Sequence, residues 1–221
     1  TGTGKTMIAA FDYRNWCRSQ GRIGRGSPRL LFVAHREEIL RQSLLTFRAV
    51  LRDHNFGALL VGGREPASMD HLFVSIQSYN SRQLSSMARD YYEYVVVDEF
   101  HHAAAQSYEE LLDHIQPRVL LGLTATPERA DGLDVLRFFD HHTSAEIRLP
   151  DAINRKLLSP FQYFGITDAV DLADVRWRRG GYAMEDLESK YTGNDIRAQL
   201  IIDKGRERLL DTRQARGLGF C

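Results

Sequence analysis

Short apolar runs alternate with amphipathic helical patterns through the first 150 residues. Two segments, 36–51 and 108–115, place apolar residues at helical spacing. Five runs have strand length and almost no polar interruption, which is typical of strands buried on both faces of a parallel sheet. They are Leu30–Ala34, Ala58–Val61, Leu72–Ile76, Tyr94–Val97 and Val119–Leu123. The pattern predicts an α/β fold with a mostly parallel sheet flanked by helices, and ligand sites at the carboxyl ends of its strands.

The pattern changes after about Pro150, where we predict a mainly helical connector. A long helix is expected to begin after Asn194, because asparagine is a favoured N-cap residue. The elements predicted in order are a short helix over Asp151–Leu158, a strand over Phe161–Ile166, a polar connection over Asp168–Gly181, the helix from Asn194 to about Arg213, and the start of a strand over Gly217–Cys221.

Composition is that of an ordinary globular protein, with 43% hydrophobic and 10% aromatic residues. No stretch approaches the roughly 18–20 uninterrupted apolar residues of a membrane span. The two cysteines, Cys17 and Cys221, are far apart and suggest no disulfide framework, so the expected location is the reducing cytoplasm.

Charge is balanced overall, with 29 basic and 29 acidic residues, which argues against binding of nucleic acid by bulk charge alone. The distribution is uneven, since residues 1–60 carry ten basic and four acidic groups. The basic excess therefore lies beside the N-terminal glycine loop.

That loop is the sequence Thr1-Gly2-Thr3-Gly4-Lys5-Thr6. Glycines let successive backbone N–H groups turn inward around a phosphate, the lysine reaches the outer phosphates, and the following hydroxyl binds Mg²⁺. We therefore predict ATP and Mg²⁺ as ligands. The candidate nucleotide-binding residues are Gly2, Thr3, Gly4, Lys5 and Thr6. A chance glycine turn before a helix is the alternative, and the helix-compatible run at 7–10 weighs against it.

A second candidate site follows the apolar run that ends at Val97, where Asp98 and Glu99 stand side by side. Metal-assisted phosphate hydrolysis needs one carboxylate to hold Mg²⁺ and another to orient or deprotonate the attacking water. We assign Asp98 to the metal and Glu99 to the water. A strand that merely ends in solvated acids is the alternative interpretation.

Histidine pairs at 101–102 and 141–142 invite a metal-site interpretation, which we reject. Adjacent side chains in regular structure do not converge on one ion, and no cysteine is close in sequence. A hydrogen-bonding role for His101 near the γ-phosphate is favoured. After the run at 119–123, Thr124 and Thr126 precede Pro127, a sequence that alone would indicate only a strand exit.

Six segments occur in a fixed order along residues 1–150. They are Thr1–Thr6, Val33–Glu37, Gly62–Gly63, Val74–Ser78, Asp98–His101 and Thr124–Pro127. In this order they resemble motifs I, Ia, the double-glycine element, the Ser-Gln segment, II and III of the superfamily 2 helicases of DEAD/DEAH-like type. Within that superfamily the chain resembles the group of the type III restriction enzyme Res subunit. Phe100 stands where the better-known DEAH form has alanine, which argues against the RNA-processing DEAH group.

The resemblance implies a RecA-like ATP-binding lobe and an ATP-driven motor on nucleic acid, with DNA favoured over RNA. It implies catalytic roles for Lys5, Asp98, Glu99 and His101, backbone contacts with nucleic acid for Arg36, Gly63, Ser75 and Gln77, and coupling roles for Thr124 and Thr126. Without the motif order, Arg36 would be a solvated residue at a helix start and Gln77 a helix cap.

Members of this superfamily also use a second RecA-like lobe that supplies an arginine finger. The resemblance therefore implies a first lobe over residues 1–150 that lacks its first strand, a connector over 151–216, and the beginning of the second lobe at 217–221. Arg129 is not expected to replace the finger, so this chain alone should show almost no nucleic-acid-stimulated hydrolysis. A nuclease or methylase module is a further expected partner.

Two other functions remain open at the level of sequence. One is a P-loop ATPase that drives a conformational change in a protein without nucleic acid. The other is a nucleotide-binding fragment with no catalysis. The ATPase rate with and without DNA distinguishes these functions from a nucleic-acid motor.

Overall fold

The computed structural model of the protein describes residues 2–22, 24–62, 66, 68–100, 106–125, 136–166, 173–178, 181–191, 195–209, 211 and 213–218. The chain divides into two compact units, Thr1–Pro160 and Phe161–Cys221. Among the described residues, no helix combines the length and the apolar character that crossing a membrane would demand.

The first unit alternates helices and strands. Its elements in chain order are α1 (Lys5–Ser19), β1 (Leu30–Ala34), α2 (Glu37–Leu51), β2 (Ala58–Leu60), β3 (His71–Ser75), α3 (Ile76–Ser81), β4 (Tyr94–Asp98), α4 (Gln106–His114), β5 (Val119–Leu123) and α5 (Leu149–Asn154). Short 3₁₀ turns occupy Gly24–Gly26, Leu84–Ser86 and Leu136–Phe139.

The five strands form one parallel sheet in the order β2-β3-β1-β4-β5. Ala34 at the end of β1 is in register with Ser75 at the end of β3, and Asp98 at the end of β4 is in register with Leu123 at the end of β5. The carboxyl ends of these four strands therefore meet along one side of the sheet. We call that side the carboxyl edge and the opposite side the amino edge.

Both faces of the sheet are covered, because successive strand residues point to opposite faces. Leu30, Phe32 and Ala34 of β1 pack in a cluster with α1 and α2, whereas Leu31 and Val33 pack in a second cluster with α3 and α4. All five residues of β1 and all five of β4 are buried. This explains why the strands have continuous apolar sequences rather than alternating ones.

The predicted fold class of the first unit is confirmed. The bounds of β1 and β5 are those predicted, those of β2 and β4 differ from the prediction by one residue at one end, and those of β3 differ by one residue at both ends. The short helix predicted over 151–158 is present as α5 but begins at Leu149 and ends at Asn154.

The second unit differs from the prediction in several elements. It contains a hairpin of β6 (Trp177–Arg178) and β7 (Gly181–Tyr182), followed by α6 (Met184–Tyr191) and α7 (Asp195–Arg208). Neither the hairpin nor α6 was predicted, and α7 ends before the predicted Arg213.

The strand predicted over Phe161–Ile166 is wrong, because this segment is irregular. The strand pairings of the described residues do not include it, and an extended segment without a neighbour is not stable as a strand. Gly217 and Leu218 also lie outside any strand, and residues 219–221 lie outside the described residues.

Candidate functional site

The glycine loop and the start of α1 lie at the carboxyl edge. Gly2 and Gly4 both have left-handed backbones, with φ of 81° and 80°, a conformation that glycine adopts at no steric cost. Alternation of left- and right-handed residues turns neighbouring N–H groups into one concavity, a structure that suits an anion. The loop therefore has the backbone geometry that the sequence predicts for phosphate binding.

Helix α1 supports the loop. Ile8 N donates to Gly4 O at 3.0 Å, and Ala9, Ala10, Tyr13 and Cys17 anchor the helix in the core. No side chain caps its N-terminus, and its first turn carries no acidic residue. The first N–H groups of the helix and its positive dipole end are thus left for an anionic ligand. Cys17 is a free, buried cysteine.

Asp98 is the residue of the carboxyl edge whose burial and pKa are most informative. It is the last residue of β4 and is only 7% exposed. Burial raises the pKa of its carboxyl group, and the Glu99 carboxylate raises it further, whereas the backbone N–H of Glu99 and the Lys5 ammonium lower it. The influence of Lys5 shows that the fold brings the loop and the acidic pair into electrostatic reach of each other.

Glu99 has a left-handed backbone with φ of 53°. Only glycine adopts this conformation freely, so a glutamate there is strained. Strained backbone conformations of this kind are found preferentially at functional sites. Its backbone N donates to Asp98 Oδ1 at 3.0 Å. Sequence reasoning predicted the residue but not its backbone conformation.

Tyr108 of α4 is a site residue that sequence reasoning missed. Its place in the segment 108–115 predicts only the apolar side of a helix, and its side chain is 3% exposed. Within the described part of the chain its Oη has no hydrogen-bond partner. Burial raises the pKa of Tyr108 to about 12, and the charges of Asp98 and Glu99 add to the effect. The hydroxyl thus lies near both acids, and no feature of the sequence distinguishes it from a core tyrosine.

Three of the four residues predicted to face nucleic acid are described, and all lie at the carboxyl edge. Arg36 is the exposed N-cap residue of α2, two positions after β1. Gln77 is exposed in the first turn of α3, two positions after β3. Because Ala34 is in register with Ser75, Arg36 and Gln77 follow neighbouring strands at equal depth.

Ser75 has a structural task of its own. Its hydroxyl accepts a hydrogen bond from Ser78 N at 3.1 Å and donates to Ser78 Oγ at 2.9 Å. The cap of α3 is therefore Ser75, which corrects the alternative that made Gln77 a helix cap. A hydrogen bond from the Ser75 hydroxyl to a phosphate would replace its donation to Ser78 Oγ and would leave the cap bond from Ser78 N in place.

Thr124 directly follows β5, beside the register pair of Asp98 and Leu123, and is half-buried. Several other predicted residues lie outside the described part of the chain, namely Thr1, Gly63, His101, His102, Thr126, Pro127, Arg129 and Asn194.

The described residues contain no group of three or more His, Cys, Asp or Glu side chains that could hold a metal ion by itself. Mg²⁺ is usually held by one or two carboxylates together with the phosphates of a substrate. A single buried carboxylate beside an anion-binding loop fits that requirement. Asp98 and the Thr6 hydroxyl are thus suitable ligands for an ion shared with a phosphate chain.

The family follows from a comparison with known sequences. The sequence model of the family described as "Type III restriction enzyme, res subunit" matches residues 1–129. The chain belongs to that family. The match confirms the resemblance to superfamily 2 helicases that the motif order implied.

This member of the Res-subunit family has relatives that share low sequence identity with it and are longer than it is. One is a Saccharomyces cerevisiae protein that bears the name of an ATP-dependent helicase, IRC3, which is 23% identical over 91% of this chain and 30% of its own length. Another is the Escherichia coli type I restriction enzyme EcoAI endonuclease subunit, 25% identical over 94% of this chain and 26% of its own length. The chain thus spans less than a third of either relative.

A solved structure confirms the fold of this family member. It is a nuclease-deletion mutant of the type ISP restriction-modification enzyme LlaGI in complex with a DNA substrate mimic. The TM-score is 0.50, with 15% identity over 71% of this chain and 18% of that chain. At this identity the likeness concerns the fold alone.

Proposed function

We propose that the chain is the ATP-binding lobe of a helicase or translocase that couples ATP hydrolysis to movement on DNA. One observation carries the proposal, namely the buried Asp98 carboxylate at the end of β4 within electrostatic reach of Lys5. A buried carboxylate next to a lysine on an anion-binding loop fits the nucleotide site of a P-loop ATPase. Membership of the Res-subunit family supports the same proposal.

In this proposal the loop binds ATP. Backbone N–H groups from Gly2 to Thr6 surround the phosphates, and the Lys5 ammonium contacts the outer two. Thr6 and Asp98 hold Mg²⁺, which when bound neutralises charge on the phosphate oxygens. These roles rest on residue types and on the positions described above.

Glu99 acts on water in this proposal. A water molecule attacks the γ-phosphorus, the bond between that phosphorus and the bridging oxygen to the β-phosphate breaks, and the water proton passes to the Glu99 carboxylate. The products are ADP and inorganic phosphate. His101 and Thr126 are proposed to assist, the first by hydrogen bonding near the γ-phosphate and the second, with Thr124, by coupling the site to movement.

The nucleic-acid surface is proposed to follow the ends of β1 and β3. Arg36 and Gln77 are exposed there, and together with Ser75 and Gly63 they would contact the phosphate backbone without reading base sequence. The restriction-enzyme family favours DNA over RNA as the polymer. A nuclease or methylase module is the associated activity that we propose for the complete enzyme.

The lobe is proposed to work with a second RecA-like lobe, which supplies the arginine finger. The proposed boundaries are 1–150 for the first lobe, 151–216 for the connector and 217–221 for the beginning of the second lobe. Fingers of this kind contribute about 10³–10⁵ in rate, so the 221-residue chain alone should bind nucleotide weakly and hydrolyse it little.

The experiment is steady-state ATP hydrolysis by the full-length protein, with and without single-stranded DNA, for the wild type and for Glu99→Gln. We expect DNA to stimulate the wild type, and we expect Glu99→Gln to bind ATP and Mg²⁺ normally but to turn over about 10²–10⁴-fold more slowly. Unchanged hydrolysis in Glu99→Gln would make Glu99 a solvated acid at a strand end. A hydrolysis rate that does not change when DNA is added would favour an ATPase that drives a protein conformational change.

A further inference from the structure

Phe100, which directly follows Glu99, has an unusual environment for a residue of the acidic motif. Its side chain is 5% exposed and belongs to the core cluster between the sheet and helices α3 and α4. Its ring lies against Phe139, with the centroids 5.0 Å apart and the planes inclined by 59°. The acidic pair is therefore joined to a large, anchored aromatic side chain.

Gly122 on β5 makes room for this packing. A Cβ atom built on Gly122 would lie 2.8 Å from Phe100 Cδ1 and 2.5 Å from Phe139 Cζ, closer than real atoms approach. Glycine weakens a strand interior, and its presence there often marks a close approach by another group. Here the approaching groups are the two phenylalanine rings, so Phe100, Gly122 and Phe139 form one complementary unit.

This unit bears on Glu99 because Glu99 stands between two anchored neighbours. Asp98 is fixed on one side as the last residue of β4, and Phe100 is fixed on the other by the Phe139 ring and by Gly122. A left-handed glutamate persists only where its surroundings determine its conformation. A smaller residue at position 100 would release one of the two fixed points.

We propose that Phe100, packed on Gly122 and Phe139, is a positioning residue that sets the direction of the Glu99 carboxylate. The inference rests on the proposed role of Glu99 in water activation. It also gives a physical reason why a phenylalanine can stand where the DEAH form has alanine, namely that β5 carries a glycine against which its ring packs.

The alternative is that Phe100 only fills the core. A core-filling residue affects turnover only through stability, so its variants behave like other cavity variants of equal stability. A positioning residue affects kcat at nearly unchanged KM for ATP, since the loop that binds the phosphates is a separate segment. Leu84 is a matched control because it belongs to the same core cluster, is 8% exposed and lies in the 3₁₀ turn after α3.

The test compares kcat and KM for ATP in the full-length protein for Phe100→Ala, Phe100→Leu and Leu84→Ala, below the unfolding temperature of each. We expect kcat to fall about 10²-fold in Phe100→Ala, the loss typical of a 1 Å misplacement, with KM changed by less than about threefold. The kcat of Phe100→Leu should be about tenfold higher than that of Phe100→Ala, and the kcat of Leu84→Ala should stay within about twofold of the wild-type value.

Two outcomes overturn the proposal: equal kcat values in Phe100→Ala and Leu84→Ala, or a loss in Phe100→Ala that is confined to KM. If Phe100→Ala does not fold, Phe100→Leu decides by the same comparison with Leu84→Ala.

The double variant Glu99→Gln, Phe100→Leu separates this inference from the proposed function. If Phe100 acts through Glu99, the double variant is no slower than Glu99→Gln alone. A further loss in the double variant rejects the positioning role and leaves that of Glu99 intact. Wild-type turnover in Glu99→Gln rejects the role of Glu99, and the positioning inference with it.

Discussion

At the amino edge of the sheet, ion pairs hold Glu93 and Asp70 to arginines, whereas at the carboxyl edge Asp98 is buried without an ion pair to another described residue. Arg22 Nη1 donates to both carboxylate oxygens of Glu93, at 2.9 and 2.7 Å. Arg29 Nε lies 3.4 Å from Asp70 Oδ1. At the other edge, Lys5 affects the pKa of Asp98 but makes no direct ion pair with it within the described structure.

The pKa values of two acids express this contrast. The hydrogen bond from Arg22 holds the pKa of the Glu93 carboxyl below its ordinary value. Burial instead raises the pKa of Asp98. The charge of Glu93 at the amino edge is thus neutralised within the fold. The carboxyl edge keeps a buried carboxylate, and the proposed cation and phosphate chain would offset the cost of burying it.

The largest expected difference between the two edges is in nucleotide affinity. Lys5→Ala should weaken ATP binding by about 2–5 kcal/mol, because it removes the loop cation that contacts the phosphates. Arg22→Ala removes an arginine at the amino edge and should leave ATP affinity unchanged. Equilibrium titration with a fluorescent ATP analogue measures both, and equal affinities in the two variants would remove the basis for assigning the loop.

Nucleic-acid binding should show the second largest difference. Arg36→Ala should weaken the binding of single-stranded DNA by about 1.5–3 kcal/mol and reduce the salt slope by about one, equally for many sequences, because a backbone contact carries no base information. Arg118→Ala, just before β5 at the amino edge, is the control, since Arg118 is also exposed and should contact no DNA. Anisotropy titrations at several salt concentrations test this, and a loss confined to one DNA sequence would contradict the backbone assignment.

The sequence could predict only some features of the sheet and of its carboxyl edge. Strands such as β1 and β5 were predicted because a strand buried on both faces must be apolar throughout. The acidic pair was predicted because carboxylates at a strand end are chemically distinctive. The left-handed Glu99, the packing of Phe100 on Gly122 and the hydroxyl of Tyr108 depend on contacts between distant segments, which local pattern does not encode.

The failed strand over 161–166 has a related cause. Its residues suit a strand, but a strand also needs a neighbour, and the described residues provide none for it. In the first unit every apolar run has a neighbour in the sheet, so local pattern and tertiary structure agree there.

Backbone strain gives a smaller difference. Glu99 at the carboxyl edge and Arg52 after α2 at the amino edge are both left-handed, with φ of 53° and 56°. Substitution by glycine should raise the free energy of unfolding by roughly 1 kcal/mol at each position, because glycine relieves the strain. Chemical denaturation measures this in the chain itself, while the ATPase activity of the full-length protein should be lost only in Glu99→Gly. If Glu99→Gly destabilised the protein, the strain at Glu99 would be offset by contacts of its side chain.

The smallest expected effect is a pH dependence at the amino edge, where His71 begins β3. Its ring stacks on Phe56 with the centroids 4.5 Å apart, and its Nδ1 is buried with no hydrogen-bond partner in the described structure. Burial lowers the pKa of His71 below its ordinary 6.5, and the nearby Arg29 acts in the same direction against the carboxylates of Asp70 and Asp53.

Because the folded state disfavours the charged ring, the unfolded state binds more protons once the pH falls below 6.5. His71 therefore contributes stability that is present above pH 6.5 and is lost as the pH falls through the lowered pKa of the folded state. His71→Phe removes this titration while keeping an aromatic ring beside Phe56. The free energy of unfolding, measured between pH 7.5 and 5 in steps of about half a unit, should fall less steeply in His71→Phe than in the wild type. His54→Phe, at an exposed histidine on the same edge, is the control for the loss of any histidine. The dependence of the unfolding free energy on pH must be flattened more by His71→Phe than by His54→Phe. Parallel curves for His71→Phe and the wild type would show that burial of a charged His71 does not lower the stability of the folded state.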